Sequence, residues 1–186
     1  MYEKFPPLSH EKGFCHVSDK YKVIFLPIPK NASTSIRCIK EFDFNLGNIF
    51  CYTDKIESGK YQVFTILRNP LDRFISTYIE VCERAYGDST KTLKKDFYWI
   101  TPPPQKRFCG ILSEVEKSFF DIYIRPQSYF ITDYQNKLFN LDFVINFHDL
   151  EKGISLMLER YGLENVKLPK KIFGRRIPVN CLCSKA

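Results

Sequence analysis

The stretch "YKVIFLPIPKNASTSIR" (Tyr21–Arg37) joins an apolar run to a polar turn, and it indicates how the chain folds. Its first part, Lys22–Ile28, is short, continuous and apolar, which is typical of a strand buried on both faces of a parallel sheet. The segment Asn31–Phe42 begins with small and hydroxyl residues and then places apolar residues at helical spacing, which predicts the start of a helix. The stretch therefore predicts a strand–turn–helix unit whose turn carries Lys30.

Strands and helices alternate along the rest of the chain. The further predicted strands are Gly47–Thr53, Tyr61–Leu67 and Leu141–Phe147, and the further predicted helices lie within Arg68–Tyr86, Ile111–Ile124 and Asp149–Leu163. This alternation predicts an α/β fold in which a central parallel sheet is covered on both faces. The length of 186 residues fits a single domain, with an irregular lead-in over 1–20, a substrate-facing loop or lid over 87–110 and a basic tail over 164–186.

The net charge of +7 favours anionic partners such as nucleic acids, nucleotides or sulfated and carboxylated sugars. The basic residues are spread along the chain without a nucleic-acid-binding motif, and for the charge alone simple solvation of the surface is the better explanation. Seven cysteines without a metal-ligand spacing indicate free thiols and no metal site. No apolar run reaches the roughly 18 residues of a membrane span, and there is no secretory signal. These features predict a soluble, cytoplasmic protein that is not specific for nucleic acid.

The turn after the first predicted strand has the properties of an anion site. In parallel sheets, ligands bind at the carboxyl ends of the strands, where Pro29–Ser35 is expected to lie. Backbone N–H groups at a helix start favour phosphate or sulfate, Lys30 adds a positive charge, and Ala32 lets the backbone approach the anion. The hydroxyl donors are Ser33, Thr34 and Ser35. The glycine spacing of a Walker loop is absent. The alternative is an ordinary helix N-cap.

The third predicted strand is followed by a second element of this kind. Arg68 stands at the carboxyl end of that strand, and Ser76 follows on the next helix, so that a guanidinium and a hydroxyl can bind one phosphate together. Arg73 either assists them or pairs with Asp72. The alternative is an arginine that caps neighbouring carbonyl groups and a serine on a solvated helix face.

The two elements together resemble the sulfotransferase family. The resemblance implies the three-layer α/β/α sulfotransferase fold, which is P-loop NTPase-like, and 3′-phosphoadenosine-5′-phosphosulfate (PAPS) as sulfo donor without a required metal. It also implies that the first loop holds the 5′-phosphosulfate, whereas Arg68 and Ser76 hold the 3′-phosphate. The matching residues are Pro29-Lys30-Asn31-Ala32-Ser33-Thr34 and Arg68-Asn69-Pro70-Leu71-Asp72-Arg73-Phe74-Ile75-Ser76-Thr77-Tyr78.

A third segment extends the resemblance. The sequences "DIYIRPQSYFI" (121–131) and "LDFVINFHDLEKGI" (141–154) look like a stretch of the carbohydrate sulfotransferases related to the Golgi enzymes. The resemblance implies a carbohydrate acceptor and substrate-binding roles for Tyr123, Arg125 and Gln127. Tyr123 stands where that stretch usually has a histidine. The alternative is that Arg125 and Gln127 hold a loop to the sheet.

Sulfo transfer needs a group that stabilises the leaving phosphate and a base for the acceptor hydroxyl. Lys30 is the candidate for the first task. Asp54 follows a predicted strand and is the hypothetical base, with Glu57 and Tyr52 as weaker candidates and a simple turn residue as the alternative. Two other functions stay open: a nucleotide-binding module with impaired catalysis, and a P-loop-like kinase.

Overall fold

A computed structural model of the protein describes residues 12–77, 123 and 125–164. Within this part of the chain, one sheet has the strand order β3-β1-β2-β4-β5. The strands are β1 Phe14–Ser18, β2 Val23–Leu26, β3 Asn45–Asn48, β4 Gln62–Leu67 and β5 Phe143–Asn146. Strands β2, β4 and β5 are parallel, while β1 is antiparallel to both of its neighbours. Since β3 therefore runs in the same direction as β2, the carboxyl ends of four strands meet at one edge.

The predicted strands at β2, β4 and β5 are confirmed, and with them the α/β class and the parallel centre of the sheet. The prediction of an irregular lead-in over 1–20 is wrong for Phe14–Ser18, because this segment is the fully buried strand β1 between β2 and β3. His16 and Ser18 interrupt the apolar residues of this segment, so the hydrophobicity pattern did not predict a strand here. Residues 1–11 lie outside the described residues.

The predicted strand Gly47–Thr53 overlaps β3 at Gly47 and Asn48 and is wrong from Ile49 onward. Strand β3 ends at Asn48, whose side-chain oxygen accepts a hydrogen bond from the Phe50 N–H at 3.1 Å. This bond starts a 3₁₀ helix over Ile49–Tyr52, which continues into helix α2, Thr53–Glu57. An asparagine side chain offers the backbone an alternative to the strand ladder, and here that alternative ends the strand.

The remaining helical elements follow the strands in the expected order. They are α1 Ser33–Arg37, a 3₁₀ turn at Lys40–Phe42, α3 with residues 70–77 described, α4 Ser128–Ile131, a 3₁₀ turn at Phe147–Asp149 and α5 Leu150–Arg160. The helix predicted within Asp149–Leu163 is confirmed, as is the described part of the helix predicted after Arg68. The predicted helix Ile111–Ile124, the loop 87–110 and nearly all of the tail 164–186 lie outside the described residues.

Helices and turns cover both faces of the sheet. On one face, Phe25 and Phe64 stack with their ring centroids 5.0 Å apart and pack with side chains of α1 and α5. Gly153 makes the approach of α5 possible, because a Cβ atom there would lie 2.5 Å from the Ile145 Cγ2 atom. The other face packs Ile24 and neighbouring side chains against α4 and the segment after β3. Each fully buried aliphatic or aromatic side chain contributes about 1.5–3 kcal/mol.

Among the described residues, no helix is both long and apolar enough to cross a membrane. In the same part of the chain, Cys15, Cys38 and Cys51 are free thiols. Burial raises the pKa of the Cys15 thiol to about 12, with a smaller contribution from Cys51. Cys15 therefore stays protonated and unreactive in the folded protein.

Candidate active site

The turn between β2 and α1 has a strained backbone. The Asn31 N–H donates to the Ile28 carbonyl at 3.1 Å and closes a four-residue turn. Pro29 occupies the second position, and Lys30 has a φ of 69°, which is the pattern of a type II turn. Ala32 also has a positive φ, 60°. Each such non-glycine residue costs about 1 kcal/mol. Strain of this kind concentrates at functional sites, which makes the turn the first candidate.

Helix α1 begins without a side-chain cap. Its N-cap residue is Ala32, which has no side chain able to accept a hydrogen bond. Thr34 instead accepts a hydrogen bond from the Arg37 guanidinium at 3.4 Å. The alternative that the hydroxyl residues form an ordinary N-cap is therefore wrong. Because α1 has only five residues, its dipole is small, and local N–H groups and Lys30 supply most of the positive potential.

Helix α3, after β4, begins differently. The Asn69 side-chain oxygen accepts hydrogen bonds from the N–H groups of Leu71 at 2.9 Å and Asp72 at 3.3 Å. The Asp72 carboxylate lies 3.1 Å from His148 Nε2, so Asp72 pairs with His148 rather than with Arg73. Ser76 lies half-buried on the same helix. This helix start is satisfied by its own residues.

Arg68 connects the two turns. Its Nη1 donates to the Lys30 carbonyl at 3.0 Å, and its guanidinium lies 4.2 Å from the centre of the Phe147 ring. Burial lowers the pKa of Arg68, and the nearby Asp72 carboxylate offsets part of this change. Within the described part of the chain, the buried Nε atom has no hydrogen-bond partner, so Arg68 keeps unused donor capacity at this edge.

Gln127 holds a loop against both strand ends. Its side-chain oxygen accepts hydrogen bonds from Asn31 Nδ2 at 2.6 Å and from the Arg68 N–H at 3.0 Å, and its Nε2 donates to the Arg68 carbonyl at 2.7 Å. Asn31 is fully buried and also donates to the Ile66 carbonyl at 2.7 Å. The Gln127 amide therefore hydrogen-bonds the protein itself, which agrees with the alternative prediction that Gln127 holds a loop to the sheet.

The other two predicted substrate residues have different surroundings. The guanidinium of Arg125 lies 4.4 Å from the centre of the Tyr129 ring and is half-buried. The Tyr123 carbonyl accepts a hydrogen bond from the Thr77 hydroxyl at 3.4 Å, which ties this segment to α3. Both residues therefore lie on the loop that Gln127 anchors beside the first turn.

The sequence predicted that Arg73 either assists Arg68 and Ser76 or pairs with Asp72, whereas the structure buries it beside the predicted site without an ion pair to Asp72. It is 5% exposed; its Nε donates to the Pro29 carbonyl at 2.9 Å and its Nη1 to the Arg125 carbonyl at 2.8 Å. Burial lowers the pKa of Arg73 to about 10, so it remains charged at neutral pH. The available signal was its spacing from Thr77, since an i, i+4 pair shares one helix face and both residues are buried.

A cluster of aromatic and basic side chains next to Arg125 was also missed. Lys12 lies 5.2 Å from the Tyr129 ring centre and 5.9 Å from that of Tyr134, and Phe50 stacks on Tyr134 at 5.2 Å. We call Lys12, Phe50, Tyr129 and Tyr134 the aromatic ledge. Its members are distant in sequence, so no local pattern could have revealed it.

The placement of Asp54 does not agree with the reason for predicting it as a base. The strand before it ends at Asn48 instead of Thr53, and Asp54 lies exposed in the first turn of α2. The carbonyl of the next residue, Lys55, accepts a hydrogen bond from the Tyr61 N–H at 3.1 Å, immediately before β4 begins. Helix α2 therefore lies toward the amino end of β4, whereas Arg68 follows its carboxyl end. Tyr52 and Glu57 share this placement, with the Tyr52 ring 5.6 Å from that of Tyr61.

No group of three or more histidine, cysteine, aspartate or glutamate side chains is positioned to bind a metal ion in the described ranges 12–77, 123 and 125–164. The titratable groups nearest the two turns are Lys30, Arg68, Arg73 and the Asp72–His148 pair. The arrangement is therefore suited to binding an anion through positive charges and N–H donors.

The Sulfotransferase family model matches residues 52–176, and the chain belongs to this family. The match includes β4, α3 and the loop of Gln127, and it starts after the β2–α1 turn. No curated protein and no solved structure matched the chain. Membership supports the transfer of a sulfo group in general and implies a sulfo donor and an acceptor substrate.

Proposed function

We propose that the protein transfers the sulfo group of PAPS to a hydroxyl group of a carbohydrate or another small acceptor. The observation that carries this proposal is the 3.0 Å hydrogen bond from Arg68 Nη1 to the Lys30 carbonyl. It places two basic segments side by side at the carboxyl edge of the parallel strands, where open α/β sheets bind ligands. A nucleotide with an anionic group at each end suits two adjacent segments of this kind.

Each segment takes one end of the donor. The 5′-phosphosulfate lies on the first turn, over the backbone N–H groups and hydroxyls of Ser33–Ser35 and against the Lys30 ammonium group, while the buried Asn31 and the adjacent Ala32 shape the turn beneath it. The 3′-phosphate is bound by the positive charge of the Arg68 guanidinium and by the Ser76 hydroxyl. The strained φ of Lys30 supports this assignment, because a strained position persists where function requires it.

The chemistry is an in-line displacement. A bond forms between the acceptor oxygen and the sulfur as the bond from sulfur to the 5′-phosphate oxygen breaks, and the acceptor proton leaves to a base or to water. Lys30 stabilises the negative charge that develops on the leaving phosphate, which lowers the barrier because this charge is largest as the bond breaks. Asp54 is not retained as the base, since α2 lies toward the amino end of β4.

The acceptor lies against Tyr123, Arg125 and the aromatic ledge. Aromatic rings such as Tyr134, which is 73% exposed, pack against the C–H faces of sugars, while Lys12 and Arg125 complement anionic substituents. Gln127 contributes by holding this loop beside the donor turn. The proposed location is the cytoplasm, since Cys15, Cys38 and Cys51 are free thiols, the state that a reducing compartment maintains.

A second candidate is a nucleotide-binding module with impaired catalysis. The observation that favours it is the placement of Asp54, which takes the predicted base away from the carboxyl edge of the sheet. This candidate binds the desulfated donor, 3′,5′-adenosine bisphosphate, and transfers nothing. Transfer of radiolabelled sulfate from PAPS to a panel of sugars, measured with a chelator present, separates the two functions and also excludes a magnesium-dependent kinase.

The donor site is tested by thermal unfolding with 3′,5′-adenosine bisphosphate, with AMP and ATP as controls. At a ligand concentration 100 times the dissociation constant, the bisphosphate should stabilise the protein by about 2.7 kcal/mol, and the controls by less. In Lys30→Gly, glycine accommodates the φ of 69°, so the fold is kept while the ammonium group is lost. The loss of one charge-assisted contact should weaken bisphosphate binding by about 10- to 100-fold.

Arg160→Gln is the control, because it removes one positive charge from the exposed end of α5. Its bisphosphate affinity should equal that of the unaltered protein within about twofold. Equal stabilisation by the bisphosphate and by AMP, or unchanged affinity in Lys30→Gly, would contradict the proposed donor site.

A further inference from the structure

Arg73 is a buried cation whose hydrogen bonds go to backbone carbonyls. Its side chain is 5% exposed and donates to the carbonyls of Pro29 and Arg125. The third guanidinium nitrogen, Nη2, is buried without a hydrogen-bond partner among the described residues. Its neighbour Asp72 pairs with His148 instead. Arg73 therefore forms no ion pair in the described part of the chain. Burying a charged guanidinium costs free energy, so a function other than ion pairing has to account for its position.

The two carbonyls belong to segments that are far apart in sequence. Pro29 lies in the turn after β2, and Arg125 lies two residues before Gln127. A guanidinium group can join them because it is planar and presents several N–H donors at fixed angles, whereas an ammonium group has no such geometry. The Phe130 ring, whose centre is 5.8 Å from the guanidinium carbon, lies against this group.

The helix that carries Arg73 is itself held in place. The Asn69 side chain caps α3, and the Thr77 hydroxyl donates to the Arg73 carbonyl at 3.1 Å and lies 3.4 Å from the Tyr123 carbonyl. The base of the Arg73 side chain is therefore fixed, so its tip can set the separation of the two segments that it joins.

We infer that Arg73 is a positioning residue that fixes the donor turn at Pro29 and the acceptor loop at Arg125 relative to each other. This inference rests on the proposed function, in which the turn binds the phosphosulfate and the loop faces the acceptor. Arg73 touches neither substrate. Its two hydrogen bonds keep both segments in the arrangement that transfer requires, and its charge adds to the positive potential at this edge.

The test compares Arg73→Lys, Arg73→Met and the control Arg160→Gln in the full chain. Titration calorimetry measures the affinity for 3′,5′-adenosine bisphosphate, and amide hydrogen exchange measures protection of 29–36 and 125–131. Lysine keeps the charge but lacks the rigid, planar arrangement of N–H donors that holds the two carbonyls at a fixed separation. Both Arg73 variants should therefore lose protection in both segments together and bind the bisphosphate about tenfold more weakly, the effect of losing roughly one hydrogen bond to a charged group. Arg160→Gln should change neither.

Full rescue by lysine would overturn the inference, because charge alone would then account for Arg73. Loss of protection confined to one segment would overturn it too. If the variants fail to fold, exchange in the unaltered protein decides: bisphosphate binding should protect 125–131 as well as 29–36, and protection of 29–36 alone contradicts the coupling. An unaltered protein that binds no bisphosphate would contradict the proposed function, while the exchange comparison of the variants still tests the two-segment link.

Discussion

The chain contains two strand–turn–helix units that look alike in outline and differ in how their helices begin. Helix α1 starts at Ala32, which offers no side-chain cap, and the preceding turn holds Lys30 at a positive φ. Helix α3 starts at Asn69, which accepts hydrogen bonds from two N–H groups of its first turn. The first unit is thus strained and lacks a side-chain cap, whereas the second is satisfied internally.

The two units contribute different groups to the same edge of the sheet. The first unit supplies backbone N–H groups and a lysine, which together favour an anion. The second unit supplies arginines on a helix start that needs no ligand for its own stability. Arg68 and Arg73 then tie the second unit to the first through the carbonyls of Lys30 and Pro29. The second unit therefore holds the strained turn of the first in its observed conformation.

The two asparagines of these units should differ in importance, and Asn31→Ala should have the largest effect on stability. Asn31 is fully buried and donates to the Ile66 carbonyl and to Gln127. Its removal takes this donor from the Ile66 carbonyl and leaves Gln127 Oε1 with the Arg68 N–H, and it should lower the free energy of unfolding by about 2 kcal/mol, measured by denaturant unfolding. The exposed control Asn140→Ala should stay within about 0.5 kcal/mol of the unaltered protein. Equal effects of the two substitutions would show that the buried network contributes nothing.

Asn69→Ala should have a smaller effect, because it removes the cap of an exposed helix start. The expected loss is about 1 kcal/mol in the free energy of unfolding. Asn69→Asp keeps an oxygen that accepts the same N–H groups and should restore most of the stability. If the aspartate variant is as unstable as the alanine variant, the cap does not explain the stability of the second unit.

Asp54→Asn should have the smallest effect of the three substitutions, because Asp54 lies outside both units. Asp54 lies in α2, and the carbonyl of the next residue, Lys55, accepts a hydrogen bond from Tyr61 just before β4 begins. Asp54 therefore belongs to neither strand–turn–helix unit. Bisphosphate affinity and sulfo transfer should both stay within about twofold of the unaltered protein. A large loss of transfer with unchanged binding would restore Asp54 as the base and would mean that α2 reaches the site.

The sequence predicted those elements whose pattern is local. Strands β2, β4 and β5 are continuous apolar runs, and α5 has apolar residues at helical spacing, so each was found within a few residues. Strand β1 was missed, since its burial comes from its position between β2 and β3 rather than from its composition. The segment after Asn48 was misread as a strand, because a single side-chain hydrogen bond turned apolar residues into a 3₁₀ helix.

The candidate site divides in the same way. The residue types of the two turns, from Pro29 to Ser35 and from Arg68 to Ser76, are readable in order along the chain, and the family match over residues 52–176 includes the second turn. The contacts of Arg73 with Pro29 and Arg125 were not predicted, and the loop-holding role of Gln127 was predicted only as an alternative, because each depends on partners at least 44 residues away. Hydrogen bonds across such separations leave no periodic trace in the sequence.

By itself, the sequence determined the α/β class, the parallel centre of the sheet and the basic, hydroxyl-rich character of two strand ends, because these follow from local hydrophobicity and residue type. Only the tertiary structure decided that the Lys30 carbonyl meets the Arg68 guanidinium, that Arg73 joins the Pro29 turn to the Arg125 loop and that Asp54 lies elsewhere. The physical reason is that buried polar groups must find partners, and only the packed chain determines which groups are close enough to satisfy them.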